Sequence, residues 1–100
     1  MRLLAIYDVG DDGLRVRVAE TLKDFGLVRV QYSAFAGDLT INRREMLEIA
    51  VAGLLRRDRR SRPTDRVYVL PLCDSCFAAA RFLGEVSRFP DRRRDRFEVL

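Results

Sequence analysis

The chain has 100 residues, 48% hydrophobic and 34% charged, with a formal net charge of +4. That is one ordinary globular domain with a modest core, and it excludes a disordered chain. With no histidine, Ser/His triads, Cys/His pairs and His-containing zinc sites are excluded too, so any general base is a carboxylate, a tyrosinate, a lysine or a metal-bound hydroxide.

In chain order, Arg2 to Asp8 (RLLAIYD) is short, apolar and bounded by turn formers, which predicts a buried strand. It is too short for a signal-peptide core, no small-residue cleavage site follows, and no apolar run is long enough for a bilayer, so the expected location is the cytoplasm. Val9 to Gly13 reads as a loop. Leu14, Val18, Leu22 and Phe25 then share one face of a helix, with Asp11 or Asp12 to cap its start and Gly26 its end.

Leu27 to Ala36 alternates, which predicts one strand, kinked or bulged midway, with Val28, Val30, Tyr32, Ala34 and Ala36 on one side and Arg29, Gln31, Ser33 and Phe35 on the other. Gly37-Asp38 then reads as a tight connection to a short second arm, Leu39 to Ile41. Asn42 to about Arg57 predicts the second helix, with Asn42 as N-cap and Glu45 completing a capping box. After a polar loop, Arg66 to Leu72 (RVYVLPL) predicts a strand ending near Pro71. Beyond it come an apolar cluster at Phe77 to Leu83, an Arg-rich loop and a last short strand, Phe97 to Leu100.

The order β-α-β-β-α-β predicts an α+β, ferredoxin-like domain over residues 1–100: an antiparallel sheet with both helices on one face, and an extra C-terminal strand, 97–100, that pairs with its own sheet or crosses to a second subunit. The fold hosts metal carriers, RNA binders, sensors and nucleases, so it does not decide function.

The residues narrow the choice. Lys23 is the single lysine among 19 basic residues, and the rest are arginines, concentrated at Arg56 to Arg66 and Arg88 to Arg96. Arginine's planar fork matches phosphate, although solvated surface in an Arg-biased genome gives the same composition. Asp8, at a strand's carboxyl end beside a glycine-containing loop, can reach a divalent cation or can simply be a loop carboxylate. Asp11 and Asp12 suit helix capping better than metal ligation. Arg15 and Arg17 stand early in the helix, against the favourable dipole sense, where phosphate or a salt bridge to Asp11, Asp12 or Glu20 would account for them. Arg29, Gln31, Ser33 and Phe35 would be neighbours on an open face if the helices cover the Val28/Val30 side, with Phe35 placed for base stacking or for dimer packing. Tyr7 packs beside that set or orients the surroundings of Asp8. Cys73-x-x-Cys76 is half a zinc site or a redox pair by spacing, and small buried apolar residues by default.

Tyr7-Asp8-Val9 with Arg15, the strand Arg29-Val30-Gln31-Tyr32-Ser33-Ala34-Phe35 after Gly26, and Arg66 to Leu70 together resemble the CRISPR-associated protein two family across nearly the whole chain. The resemblance implies a homodimer whose C-terminal strand extends the partner's sheet. It implies either metal-dependent cleavage of single-stranded RNA or duplex DNA, with Mg²⁺ or Mn²⁺ shared between two copies of Asp8, or a non-catalytic bridge between dimers of the CRISPR integrase subunit that holds duplex prespacer. On that reading Arg15, Arg17, Arg29, Gln31, Ser33 and Phe35 contact nucleic acid and Tyr7 supports Asp8. A toxin-like RNA-cleaving module of related fold is the third reading. Departures from the family pattern are Ala34, where Val is frequent, and Gly10 and Gly13, which would loosen the loop after Asp8.

Overall fold

β1 (Arg2–Asp8) lies inside the sheet, paired antiparallel with β3 (Ala34–Asp38) on one side and β4 (Arg66–Leu72) on the other. The computed structural model describes residues 1–81 and 83. β2 (Val28–Gln31) joins β3, giving one antiparallel sheet in the order β2-β3-β1-β4, crossed by α1 (Asp12–Asp24) and α2 (Ile41–Arg57), with a short α3 (Asp74–Ala79) after β4. This is the predicted ferredoxin-like α+β arrangement. The expected strand 97–100 lies outside the described residues.

The two-residue period of β1 sorts the molecule into faces. Leu3, Ala5 and Tyr7 are buried under the two long helices, in one cluster with Leu14, Val18 and Leu22 of α1, Leu47 and Val51 of α2, and Phe35 of β3. Full burial of a large apolar side chain contributes about 1.5–3 kcal/mol, whereas an exposed ion pair contributes about 1 kcal/mol at most. The core therefore outweighs surface pairs such as Arg44–Glu48 at 2.8 Å. Leu4, Ile6 and Asp8 face the other way, toward Ala34 and Ala36 on β3 and Arg66, Tyr68 and Leu70 on β4. One end of that open face is covered by Phe77 of α3, which packs on Ala36, Leu4, Val30 and Leu72. The Arg2 guanidinium stands 4.6 Å from the Phe77 ring centroid and 2.7 Å from Asp74.

Four sequence expectations are corrected. The segment from Leu27 to Ala36 is a hairpin, not one strand: the chain turns at Tyr32-Ser33, and Gly37-Asp38 ends β3 without starting a second arm. A bulge between Arg29 and Gln31 shifts the register, so Arg29 pairs with Phe35 and Gln31 with Ala34. The helices therefore cover the Arg29/Phe35 side, the reverse of the expected Val28/Val30 side. α2 is capped by Thr40, which accepts from the Arg43 N–H at 3.1 Å, and Asn42 lies within the first turn. Cys73 and Cys76 are exposed, not buried. Cys73 Sγ caps α3 by accepting from the Cys76 N–H at 3.3 Å. The Ser75 hydroxyl and the Cys76 N–H and thiol draw the Cys73 thiol down to about 7.

α1 follows its expected caps. Asp11 accepts from the Leu14 N–H at 2.9 Å. At the other end the Gly26 N–H donates to Lys23 O at 2.8 Å and the Leu27 N–H to Leu22 O at 3.1 Å, a Schellman closure. Gly26 sits at φ 95, with open space where a Cβ would stand. Strain is thus the whole cost of a side chain there, and Gly26→Ala is expected to destabilise the fold by about 1–2 kcal/mol. Thermal unfolding should show a midpoint lower by roughly 4–8 °C per kcal/mol, with Gly26→Asn closer to wild type. An unchanged midpoint for the alanine variant would refute the strain argument.

Candidate nucleic-acid site at the end of the first strand

Asp8 and Tyr7 leave β1 on opposite faces, and this divides the predicted site residues into two groups. On the helix side, Tyr7, Asp12, Arg15, Val16, Arg29 and Tyr32 line a hollow of about 250 Å³. Tyr7 is buried, with its ring centroid 6.2 Å from that of Phe35 and its hydroxyl donating to Tyr32 O at 3.3 Å. Burial pushes its phenol up, against the opposing charges of Arg29 and Arg15. Tyr7 thus stays protonated near neutrality and serves as a fixed donor to the turn, not as a base.

Arg29 is exposed, and its guanidinium lies 5.1 Å from the Phe35 ring centroid. Phe35 itself is fully buried. An aromatic on an open polar face is therefore corrected to a ring beneath Arg29, a cation–π support that holds the charge in place. Arg15 is heavily engaged: it donates to Val9 O at 2.9 Å and Gly10 O at 3.1 Å and pairs with Asp12. The salt-bridge alternative for Arg15 is the one this structure displays, and it orders the loop that follows Asp8.

On the open side stands Asp8, exposed and without a hydrogen bond or ion pair to a described residue. In register it faces Arg66, whose Nε donates instead to Thr64 O at 3.2 Å. Gln31 shares this face through its pairing with Ala34, and Ser33 lies in the turn, its carbonyl accepting from the Tyr7 N–H at 3.0 Å. Arg17 is apart from both groups, in a groove with Ala50, Gly53, Leu54, Arg57 and Asp58.

The loop after Asp8 is tied down, contrary to the looseness expected from Gly10 and Gly13. Asp65, which sequence reasoning missed, accepts from the Gly10 N–H at 3.0 Å and the Arg62 N–H at 2.9 Å. These two backbone donors hold the Asp65 carboxyl below its ordinary range. Arg60 bridges Asp58 at 2.8 Å and approaches Asp11 at 3.8 Å, and it keeps Asp58 strongly acidic. The one local signal for Asp65 was a carboxylate in the Pro63-Thr64-Asp65 turn just before a strand, and the residue types alone do not point to Gly10. Tyr32, also missed, lines the hollow beside Arg29.

A hard divalent cation takes about six oxygens. With Asp11 spent on the helix cap and Asp12 on Arg15, one chain offers Asp8 alone, and no metal-holding group of three His, Cys, Asp or Glu residues occurs among the described residues. A single chain therefore does not fit such an ion by itself.

The family model for "CRISPR associated protein Cas2" matches residues 1–80. The chain belongs to the Cas2 family. Among curated Cas2 relatives, "CRISPR-associated endoribonuclease Cas2 1" of Archaeoglobus fulgidus is 47% identical over 77 residues, covering 77% of each chain. "CRISPR-associated endoribonuclease Cas2" of Desulforudis audaxviator is 43% identical over 93 residues, covering 91% of this chain and 81% of that one. Among solved structures, a hypothetical protein from Thermus thermophilus superimposes with a TM-score of 0.60 at 30% identity, covering 72% of this chain and 80% of that one. No helix among the described residues is long and apolar enough to cross a membrane.

The Asp65 clamp makes a pH prediction. A carboxyl lowered by its native hydrogen bonds contributes stability that is present above its unfolded pKa and is lost as pH falls through the depressed native one. The Gly10 and Arg62 amide proton shifts should titrate together, with one midpoint below the ordinary Asp value. In Asp65→Asn that shared titration should vanish, and separate midpoints in the wild type would show that no common carboxylate holds both loops.

Proposed function

We propose that the protein is a CRISPR-adaptation subunit that cleaves RNA or DNA phosphodiesters as a homodimer, using Mg²⁺ or Mn²⁺ held between two copies of Asp8. The observation that carries this reading is that Asp8 is an uncommitted carboxylate on the same sheet face as an exposed apolar stripe. Ile6 pairs with Tyr68 and Leu4 with Leu70 along that face, and Tyr68 and Leu70 remain 47% and 43% exposed. A second copy covering the stripe would bring another Asp8 to the same strand end and supply the carboxylate that one chain lacks. Among the described residues β4 is an edge strand, which leaves a place for a strand from a partner.

When bound, the cation would lower the pKa of its water and offset charge on the phosphate. The chain's own residues do the rest. Arg29, braced on Phe35, presents its fork to a phosphate. Arg15 reaches one only by exchanging a present partner, and its main work is to hold the Val9 and Gly10 carbonyls so that Asp8 keeps its direction. Gln31 can contact substrate on the Asp8 face. Ser33 and Tyr7 fix the turn that carries Tyr32. Arg17, from its separate groove, would meet a more distant phosphate. The names of the relatives, endoribonucleases, favour RNA as the substrate.

Cleavage of single-stranded RNA and of duplex DNA, measured with and without Mg²⁺, tests the reading. Asp8→Ala is expected to lower the metal-dependent rate by on the order of a hundredfold or more while the dimer persists. Full cleavage by that variant would sink the enzymatic reading. Tyr68→Asp is expected to shift the protein to monomer in sedimentation and to abolish cleavage together with assembly.

A second reading follows from Asp8 standing alone: a non-catalytic adaptor that bridges integrase dimers and holds prespacer duplex through its arginines. It expects spacer integration to proceed with Asp8→Ala and to fail when Arg29 and Arg17 are both replaced by Gln. Integration that survives the double arginine variant would refute it.

A further inference from the structure

Two arginines of the loop joining α2 to β4 lie across glycines beyond Asp8, Gly10 in the loop and Gly13 in the first turn of α1. The Arg60 guanidinium crosses Gly13, and the Arg62 guanidinium crosses Gly10; a Cβ on either glycine would collide with the tip of the arginine. Their partners differ. Arg60 is doubly bonded to Asp58, Nε to Oδ1 at 2.9 Å and an Nη to Oδ2 at 2.8 Å, so its charge is neutralised within the loop. Arg62 donates its backbone N–H to Asp65, but its guanidinium makes no hydrogen bond or ion pair with a described residue. Asp65 in turn holds the Gly10 N–H, so the backbone of Arg62 and the backbone under its side chain are fastened to one carboxylate.

A guanidinium with no hydrogen bond to a described residue is thus seated at Gly10, two residues along the chain from the uncommitted Asp8 carboxylate. Arg59 stands in the same loop, Arg56 and Arg57 end α2 and Arg66 opens β4, while the segment's two carboxylates are engaged: Asp58 by Arg60, Asp65 by two backbone amides. The Asp65 carboxylate still acts on Arg62 from close by, but the arginines of this segment outnumber its two carboxylates, and the exposed fork of donors suits a phosphodiester oxygen pair.

We propose that Arg62 is a phosphate-binding residue of the nucleic-acid site, seated by Gly10, and that it grips a backbone phosphate near the one presented to Asp8. This rests on the nucleic-acid reading above and adds a contact from the α2–β4 loop. Gly10 is then the floor of a binding residue, which explains a glycine at a position without positive φ. A solvated arginine with no role would need neither the floor nor the clamp.

The test is equilibrium binding of labelled single-stranded RNA, with duplex DNA in parallel, in metal-free buffer from 50 to 200 mM salt. Arg62→Gln is expected to weaken binding roughly fivefold at low salt. It should also flatten the slope of log K against log salt by about 0.7 for single strands or about 0.9 for duplex, as expected for one lost phosphate contact. Loss on RNA alone or on duplex alone would identify which nucleic acid reaches the loop. Gly10→Ala displaces the arginine tip cheaply and should reproduce the Arg62→Gln slope with an unchanged unfolding midpoint. Arg59→Gln, on the same loop but without a glycine seat, should change the slope less. Wild-type affinity and slope in both Arg62→Gln and Gly10→Ala would overturn the proposal while leaving the nucleic-acid reading standing, and so would an equal loss in Arg59→Gln. Failure of the wild type to bind either nucleic acid would overturn both.

Discussion

β1 runs down the middle of the sheet with a partner strand on each side, and every position near the candidate site is set by its two-residue period. A one-residue slip of β1 would exchange Leu3, Ala5 and Tyr7 for Leu4, Ile6 and Asp8, placing a carboxylate against the helices and exposing a tyrosine and a leucine. Burial of the first set forbids that slip, because losing even one such side chain from the core costs several kcal/mol. The exposure of Asp8 is therefore a consequence of core packing, and so is the placement of Tyr7 under the turn at Tyr32-Ser33.

β1 and β4 were legible in the sequence to their end residues because short apolar runs between turn formers leave little choice. α1 was legible because its caps, Asp11 and Gly26, each serve a backbone group the helix cannot satisfy itself. The hairpin was not. A bulge followed by a two-residue turn keeps an alternating pattern running past the point where the chain reverses, so Leu27 to Ala36 imitates one strand. Tyr32-Ser33 carries none of the glycine or asparagine that marks tight turns, whereas Gly37-Asp38 carries the mark without making one. Phe35 was consequently assigned to the strand of Arg29 and to an open face. In the fold it pairs across from Arg29 and is buried beneath it.

The candidate site was legible in its residue types and not in its partners. Tyr7, Arg15 and Arg29 do come together, but what each arginine is doing depends on which of several available partners the fold brings to it. Arg15 is absorbed by Asp12 and two carbonyls, Arg60 by Asp58, and Arg2 by Asp74, while Arg29 rests on a ring. Net charge cannot distinguish these cases, because a paired arginine and a free one count alike. The loop clamp through Asp65 joins positions 55 residues apart, and no local pattern announces such a bond. It also reverses the expected effect of Gly10, whose missing side chain admits an arginine across a loop that Asp65 already fixes.

Asp8 and the apolar stripe of Leu4, Ile6, Tyr68 and Leu70 occupy one face for the same reason, the pleat of two paired strands. Covering that stripe removes apolar area from water, at roughly 25 cal/mol per Å², and the same contact would set a second carboxylate beside the first. Two carboxylates brought close repel unless a cation lies between them or one takes up a proton. A divalent ion at that position would then reinforce the association that creates its own site, and the linkage is reciprocal: what favours the paired sheets favours the ion, by the same free energy. Assembly and metal affinity would become one equilibrium in such an arrangement, and a variant that disturbed only the apolar stripe would lower both.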